Sequence, residues 1–326
     1  MQFEERLELI RRNTVETITE EELVNVLKTK ERPIVYCGYE PNGPVHLGHF
    51  VTIIKLMDFY RAGFKVKVLL ADMHAFLNRK GNEEEINRDV QIWRRTVEAI
   101  GLNAEVILGS SFEFEKEYQL EVMRLARGCT INRALRSMQE IARDITHATL
   151  SQTWYPLMQV VDIKFLGVDV AEGGLEQRKI HMMGRDTVEI TRHPFVAIHT
   201  PLISSLKGPG EKMSKSIPDS GISVTDTFED IQRVLKNAYC PERVVKENPI
   251  LEIVRLIVFP KMNEINVERP MKFGGDILYS SYSELQKDFA SGTLHPLDLK
   301  MAVARVLEKI IKPIRDKAAK MPIPQS

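Results

Sequence analysis

"EPNGPVHLGHFV", residues Glu40–Val51, is the stretch on which the reading of the fold turns. A Pro/Gly-rich turn precedes two histidines three residues apart, and an apolar run follows them. If Tyr36–Tyr39 ends a strand, the turn over 40–45 lies at the carboxyl edge of a sheet, where open α/β sheets bind ligands. His46 and His49 then fall in the first turn of the next helix and share a face, so both rings can address one ligand. Free N–H groups and the positive dipole end of that helix favour phosphate. Gly48 removes a side chain that would hold a nucleotide away. The same residues also suit a polar helix start carrying two solvated histidines, and this stretch alone does not separate the two.

Working outward, "PIVYCGY" (33–39), "KVKVLLAD" (65–72), "AEVILG" (104–109), "VDVAEGG" (168–174) and "FVAIHT" (195–200) read as strands. Helical patterns separate them: "HFVTIIKLMDFYRAGF", ending near Gly63, and "EEEINRDVQIWRRTVEAIG". Thr19 with Glu22 reads as a capping box that opens a helix. Strands alternating with helices predict an α/β fold with a Rossmann-like parallel sheet. Residues 113–150 look helical only, an insertion into that pattern. Beyond about 220 the pattern is mostly helical. Val303, Val306, Leu307, Ile310, Ile311 and Ile314 line one face of a final helix that Pro313 is expected to kink or end. The expected division is a nucleotide-binding domain over 1–220 and a smaller, mostly α-helical domain over 221–326.

Composition narrows the class. Lys+Arg and Asp+Glu are both 45 among 326 residues, so wholesale coating of nucleic acid is disfavoured while local basic patches stay open. A hydrophobic content of 43% suits a buried globular core. "MQFEERLELIRRN" is charged throughout and does not read as a signal or transit segment. No apolar run approaches membrane-spanning length. Cys37, Cys129 and Cys240 form no metal-type pairs and suit reduced thiols in the cytoplasm; no metal site is expected.

A second stretch bears on the first. "KGPGEKMSKSIPDS" (207–220) is a Gly/Pro-flanked loop with Lys212 and Lys215 beside Ser214 and Ser216. Lysine is a mobile point charge suited to a polyphosphate whose charge shifts during reaction, and flanking glycines let a loop close. His-Leu-Gly-His early and Lys-Met-Ser-Lys-Ser late resemble the two signatures of the class I aminoacyl-tRNA synthetases. The resemblance implies ATP as substrate, held by His46, Gly48 and His49 with Lys212, Met213, Ser214, Lys215 and Ser216, and accompanied by Mg2+; no prosthetic group is implied. Neither motif offers a nucleophile, and none is needed. A substrate carboxylate can attack the α-phosphate directly while His46, His49, Lys212 and Lys215 neutralise charge on the phosphate oxygens.

"WYPLMQVVDIKFLGVDVAEGGLEQRKIHM" (154–182) bears on the amino acid. Pro156 suits a first helical turn. Tyr155, Gln159 and Asp162 then share one face of an apolar helix, so the polar stripe must be buried with partners, structural or substrate. Gln177, just past Gly173 and Gly174, adds an amide that can reach the same place. Together with "YCGYEPNGPVHLGH", "LLADMHAFLN", "KNAYCP", "KFGGD" and "LHPLDLK", this segment resembles the archaeal/eukaryotic-type tyrosyl-tRNA synthetases over nearly the full length. The resemblance implies that Tyr36 and Asp162 hydrogen-bond the substrate phenol and that Tyr155, Gln159 and Gln177 hold its ammonium group. It implies that Leu69 and His74 line the pocket and that Gly38 lets substrate approach the first strand. One departure stands out: members of that type usually carry Lys-Met-Ser-Ser-Ser, whereas Lys215 gives this chain the form common in bacterial tyrosyl and in tryptophanyl enzymes. A tryptophanyl specificity is therefore the near alternative, although Asp162 with Tyr36 fits an indole poorly.

In "CTINRALRSMQEIARD", Arg133, Arg136 and Arg143 are spaced for one helix face, which is either a solvated basic face or an RNA contact. By the resemblance, the insertion supports a homodimer and approaches the tRNA acceptor stem, with Arg136 and Arg178 at the first base pair. Phe273, His295 and Asp298 fall at the family's anticodon-reading positions, two rings to stack on a base and a carboxylate to accept from guanine. Rivals from other classes are a small-molecule nucleotidyltransferase, which leaves the second lysine motif unexplained, and a non-catalytic RNA-binding relative, against which His46, His49, Lys212 and Lys215 all count.

Overall fold

Short runs of valine, isoleucine and leucine bounded by turn residues become strands here, and helices between them force parallel pairing. The computed structural model describes residues 1–142, 145–210, 213 and 217–322. Contacts divide the chain into two units, one of residues 1–43, 55–94 and 101–201, the other of 44–54, 95–100 and 202–326.

The first unit holds a six-stranded sheet in the order β1-β6-β5-β2-β3-β4. Its strands are β1 (Glu16–Ile18), β2 (Ile34–Tyr39), β3 (Lys65–Leu70), β4 (Glu105–Leu108), β5 (Val170–Gly174) and β6 (Val196–Thr200). The five expected strands are present and mutually parallel. Every residue of β5 and β6 is buried, so both faces of the sheet are covered there. β1 is an addition that no local pattern announces. It is three half-buried residues long and pairs antiparallel with β6. Thr19 caps the helix Glu20–Thr29 as its spacing predicts: its hydroxyl accepts the Glu22 N–H at 3.2 Å and Glu22 accepts the Thr19 N–H at 3.1 Å. The described part of the insertion contains the helices Lys116–Gly128 and Ile131–Met138.

One expectation within this unit is corrected. Pro156 lies inside the helix Leu150–Phe165, not in its first turn. The helix starts earlier because Thr149 donates its N–H to Gln152 Oε1 at 3.0 Å, a local capping contact that precedes the proline by a turn.

The second unit is mostly helical, with Phe228–Asn237 packed against the long final helix Pro296–Lys320. It also contains an unpredicted antiparallel pair, β7 (Ile265–Val267) and β8 (Ile277–Tyr279). The apolar face of the final helix is buried at the six predicted positions. Pro313 does not end it. Pro313 and Lys309, whose carbonyl loses its helical donor, are both exposed, so water can satisfy that carbonyl. Among the described residues no helix is long and apolar enough to cross a membrane.

Candidate active site

The strand order reverses between β2 and β5, the place where open α/β sheets take their ligands. Tyr36 of β2 sits beside Ala171 of β5 and is 1% exposed. Leu69 of β3 pairs with Gly38 of β2 and belongs to the same apolar cluster as Tyr36. A Cβ added at Gly38 would meet only ordinary contacts, 3.8 Å from Tyr36 and 3.9 Å from Leu69. Protein packing therefore does not require this glycine.

The helix Leu150–Phe165 turns Tyr155, Gln159 and Asp162 to its buried side, as their spacing predicts. The Tyr155 ring stands edge-on to His74 at 4.6 Å. Gln159 Nε2 donates to Gln177 Oε1 at 3.1 Å, bringing the two predicted amides together. Gly173 makes this possible, because a Cβ there would lie 2.9 Å from Gln177 Cγ. Asp162 is fully buried, and its Oδ1 accepts from the Tyr118 hydroxyl at 2.7 Å. His74 lies between two carboxylates, with Nε2 3.5 Å from Asp162 Oδ2 and Nδ1 3.4 Å from Glu113 Oε1.

Charge in this group is set by burial and by opposite neighbours. Burial opposes a charge on His74, yet Asp162 and Glu113 together raise it to about 9. Burial raises Asp162 to about 8, with His74 pulling the other way. Tyr36 and Tyr155 are pushed well above the usual phenol value, first by burial and then by Asp162 and Glu40 respectively. Their hydroxyls stay protonated and available as donors.

Three members of this neighbourhood escape the sequence reading. Glu113, Tyr118 and Glu40 come from separate segments and meet His74, Asp162 and Tyr155 only in the folded chain. A faint signal exists for Glu113 and Tyr118, since both follow the carboxyl end of β4.

The stretch carrying His46 and His49 belongs to the second unit. The His46 and His49 rings stack at 3.8 Å with 28° between their planes. His46 Nδ1 accepts the Gly48 N–H at 3.1 Å, and His49 Nδ1 accepts the His46 N–H at 3.2 Å. Both Nδ1 atoms are acceptors, so in the neutral rings the protons sit on Nε2. Burial keeps the rings neutral: it lowers His46 to about 4, and it lowers His49 further below its usual value with help from His46. Gly48 has a second reason to be glycine, since its Cβ would lie 2.9 Å from His46 Cε1.

The expectation of free N–H groups at this helix start is corrected. Leu47 donates to the Ile222 carbonyl at 2.9 Å, Gly48 to His46 Nδ1 and His49 to the His46 carbonyl at 2.9 Å. Tight turn geometry and a bridge between His46 and Ser223 consume those donors. Of the lysine motif, Met213 is buried against Gly221, whose Cβ would come within 2.2 Å of Met213 Cγ. Lys212, Ser214, Lys215 and Ser216 lie outside the described residues, as does Arg143.

The expected RNA contacts are placed unevenly. Arg136 is exposed, whereas Arg133, on the same short helix, is paired with Asp186 at 2.6 Å. Arg178 is exposed but donates to Glu16 at 2.6 Å. Phe273 is 59% exposed, with the Lys272 ammonium 4.9 Å from its ring centre. His295 is exposed and caps the final helix, its Nδ1 accepting the Leu297 N–H at 3.2 Å. Asp298 stands in the first turn of that helix.

Residues 28–312 match the family model of tRNA synthetases class I (W and Y). A tyrosine–tRNA ligase from Methanopyrus kandleri is 49% identical over 97% of this chain and 98% of its own length. The crystal structure of the tyrosyl-tRNA synthetase of Archaeoglobus fulgidus, complexed with L-tyrosine, superposes with a TM-score of 0.94 at 47% identity, covering 97% of this chain and all of that one. The Pyrococcus horikoshii tyrosyl-tRNA synthetase, also complexed with L-tyrosine, does so at 0.89 and 34% identity over 97% and 96% of the two chains. The chain belongs to the tyrosine–tRNA ligase family, within the class I tRNA synthetases (W and Y).

Proposed function

We propose that this chain is a tyrosine–tRNA ligase that activates L-tyrosine with ATP and transfers it to the 3′ end of its tRNA. The observation that carries the amino-acid assignment is Asp162: fully buried, with one oxygen held by Tyr118 and the other without a hydrogen-bond partner among the described residues. A phenol hydroxyl supplies the missing donor, while phenylalanine leaves the acceptor unpaired at a cost of about 1–3 kcal/mol or more. Tyr36 donates to the same hydroxyl, and Tyr155, Gln159 and Gln177 surround the ammonium group. Tryptophan offers one donor on a larger ring and satisfies this arrangement less well.

In the activation step a tyrosine carboxylate oxygen attacks the α-phosphorus, and the bond to the leaving pyrophosphate breaks. His46 and His49 donate from Nε2 to phosphate oxygens, and Lys212 and Lys215 match the charge that grows on pyrophosphate. A ribose hydroxyl of the tRNA then attacks the tyrosyl carbonyl and AMP leaves. Magnesium comes with the nucleotide. Its preference is for oxygen ligands, and the motif offers imidazole nitrogen, so no protein ligand is assigned to it.

Arg136 and Arg178 are assigned to the acceptor end of the tRNA, and Phe273, His295 and Asp298 to the anticodon. For Arg178 to act so it must exchange its Glu16 partner for RNA. The exposed Leu120, Met123 and Ile131 of the insertion support its role in a homodimer. Three free cysteines suit a cytoplasmic site of action.

The test is ATP–pyrophosphate exchange without tRNA, followed by charging. Tyrosine alone among tyrosine, phenylalanine and tryptophan should support exchange, and charging should follow once tRNA is added. Faster exchange with tryptophan, exchange without charging, or binding of RNA without exchange would each replace the assignment with one of its rivals.

A further inference from the structure

Two buried carboxylates face one imidazole beside the helix Leu150–Phe165, and a single cation does not neutralise both. Glu113 and Asp162 are fully buried and His74 is 2% exposed. Donor atoms of the three lie within 4.8 Å of one another. Neither Glu113 oxygen has a hydrogen-bond partner among the described residues, and neither do the His74 nitrogens or Asp162 Oδ2. The placement of Glu113 is built in: its carboxylate folds back over Gly109, where any Cβ would come 2.6 Å from Oε1. Gln119 holds its backbone, donating to the Glu113 carbonyl at 2.6 Å.

The other groups facing this cluster have hydrogen-bond or charge partners of their own or stay protonated, although Asp72 adds its negative charge to the field that raises Asp162. Glu40 is held by Asn78 at 3.0 Å and Lys80 at 3.4 Å. Asp72, on the same helix as His74, accepts the Ser110 N–H at 2.9 Å. Tyr36, Tyr118 and Tyr155 are kept protonated by burial. Glu113 and Asp162 are left to compete for one imidazolium, and the negative charge of Glu113 adds to burial in favouring the protonated form of Asp162.

We propose that Glu113 is a positioning residue that makes tyrosine capture proton-linked: by dividing the charge of His74 with Asp162, it keeps a proton on Asp162 in the ligand-free protein, and the entering phenol displaces that proton. The proposal rests on reading Asp162 as the acceptor of the tyrosine hydroxyl. The balance is simple. The phenol keeps its own proton and donates it in a hydrogen bond. Asp162, with donors from Tyr118 and the substrate, becomes a carboxylate, and the carboxyl proton passes to solvent. The raised positions of His74 (about 9) and Asp162 (about 8) agree with an imidazolium and one retained carboxyl proton at neutral pH.

The test is calorimetric titration of the full chain with L-tyrosine at pH 7 in buffers of different ionisation enthalpy. The wild type should release about one proton per tyrosine, and its Kd should tighten by about tenfold per pH unit between pH 6 and 7.5. Glu113→Gln, which keeps the size of the side chain, should release almost none and bind no more weakly than wild type at pH 6. A merely structural role for Glu113 predicts equal loss of affinity at every pH, and that result overturns the proposal. Should this variant fail to fold, His74→Gln tests the same relay. Without the imidazolium Asp162 holds its proton more tightly, and tightening should continue above pH 8; a profile unmoved from wild type overturns the proposal. Tyrosine binding by the wild type without proton release sinks the relay alone. No tyrosine binding at any pH sinks the pocket assignment with it.

Discussion

Tyr118 donates its hydroxyl hydrogen to Asp162 Oδ1 at 2.7 Å, across 44 positions of sequence and inside a region without solvent access. One acceptor edge of the carboxylate is thereby occupied by the Tyr118 hydroxyl, while Oδ2 faces His74 Nε2 at 3.5 Å. The contact also lowers the Asp162 titration against the burial that raises it.

Removing that donor should weaken tyrosine recognition. Tyr118→Phe leaves the ring in place and strands a buried acceptor, which costs about 1–3 kcal/mol. The tyrosine KM in pyrophosphate exchange should rise roughly 5- to 150-fold, the same energy expressed as a ratio. Asp162 should hold its proton to higher pH, so the loss should be larger at pH 6.5 than at pH 8.5. An unchanged KM would show that Asp162 does not take part in binding.

Gly48→Ala should separate the chemical step from tyrosine binding. The added methyl would lie 2.9 Å from His46 Cε1, so the imidazole must turn away from the position its Nδ1 contact with Gly48 holds. Misplacement on this scale should slow adenylate formation by roughly 10- to 100-fold. The tyrosine Kd, measured without ATP, should stay within about twofold of wild type, because only the phosphate donors move. A weakened tyrosine Kd with the maximal rate preserved would contradict the role given to this helix start.

The buried pair His181 and His199, Nδ1 to Nε2 at 3.0 Å, should make the fold acid-labile. Burial holds both below the ordinary value of 6.5, with each other's charge adding to the effect on His181. Below pH 6.5 the unfolded chain takes up protons that the folded chain refuses. Stability is therefore fully present above that pH and is lost as pH falls, by up to about 1.4 kcal/mol per pH unit for each such imidazole. Thermal melts between pH 7.5 and 5 should show this slope, and His181→Gln should flatten it even if it lowers stability overall. A slope unchanged in the variant would remove His181 from the account.

Asp298→Ala should leave exchange intact and weaken tRNA charging by roughly 1–3 kcal/mol, with a narrower gap between transcripts carrying guanine or another base at the first anticodon position. Phe273→Ala and His295→Ala should weaken charging more evenly, because stacking tolerates any base. Transcripts with single anticodon substitutions provide the measurement. Undiminished discrimination would leave Asp298 as an acid that complements the dipole at the start of the final helix.

What the sequence by itself determined is what neighbours along the chain impose on one another. Strand runs such as 34–39 and 65–70 carry their own apolar pattern, and Thr19 reaches Glu22 within one turn, so these elements are legible without the fold. The same holds for the shared face of Tyr155, Gln159 and Asp162, which a helical repeat of 3.6 residues dictates. The tertiary structure decided whatever depends on segments distant in sequence. Glu113 and Tyr118 reach Asp162 because the sheet brings the end of β4 beside the helix Leu150–Phe165, and no spacing in the chain encodes that meeting. The N–H groups at the helix start of 47–49 look free until Ile222 arrives to take one of them. Pro313 sits within a helix because its carbonyl partner faces water, a matter of which side the second unit buries. Local hydrogen bonds and periodicity act over a few residues, whereas the charge state of a buried carboxylate depends on every group that the fold places within a few ångströms of it.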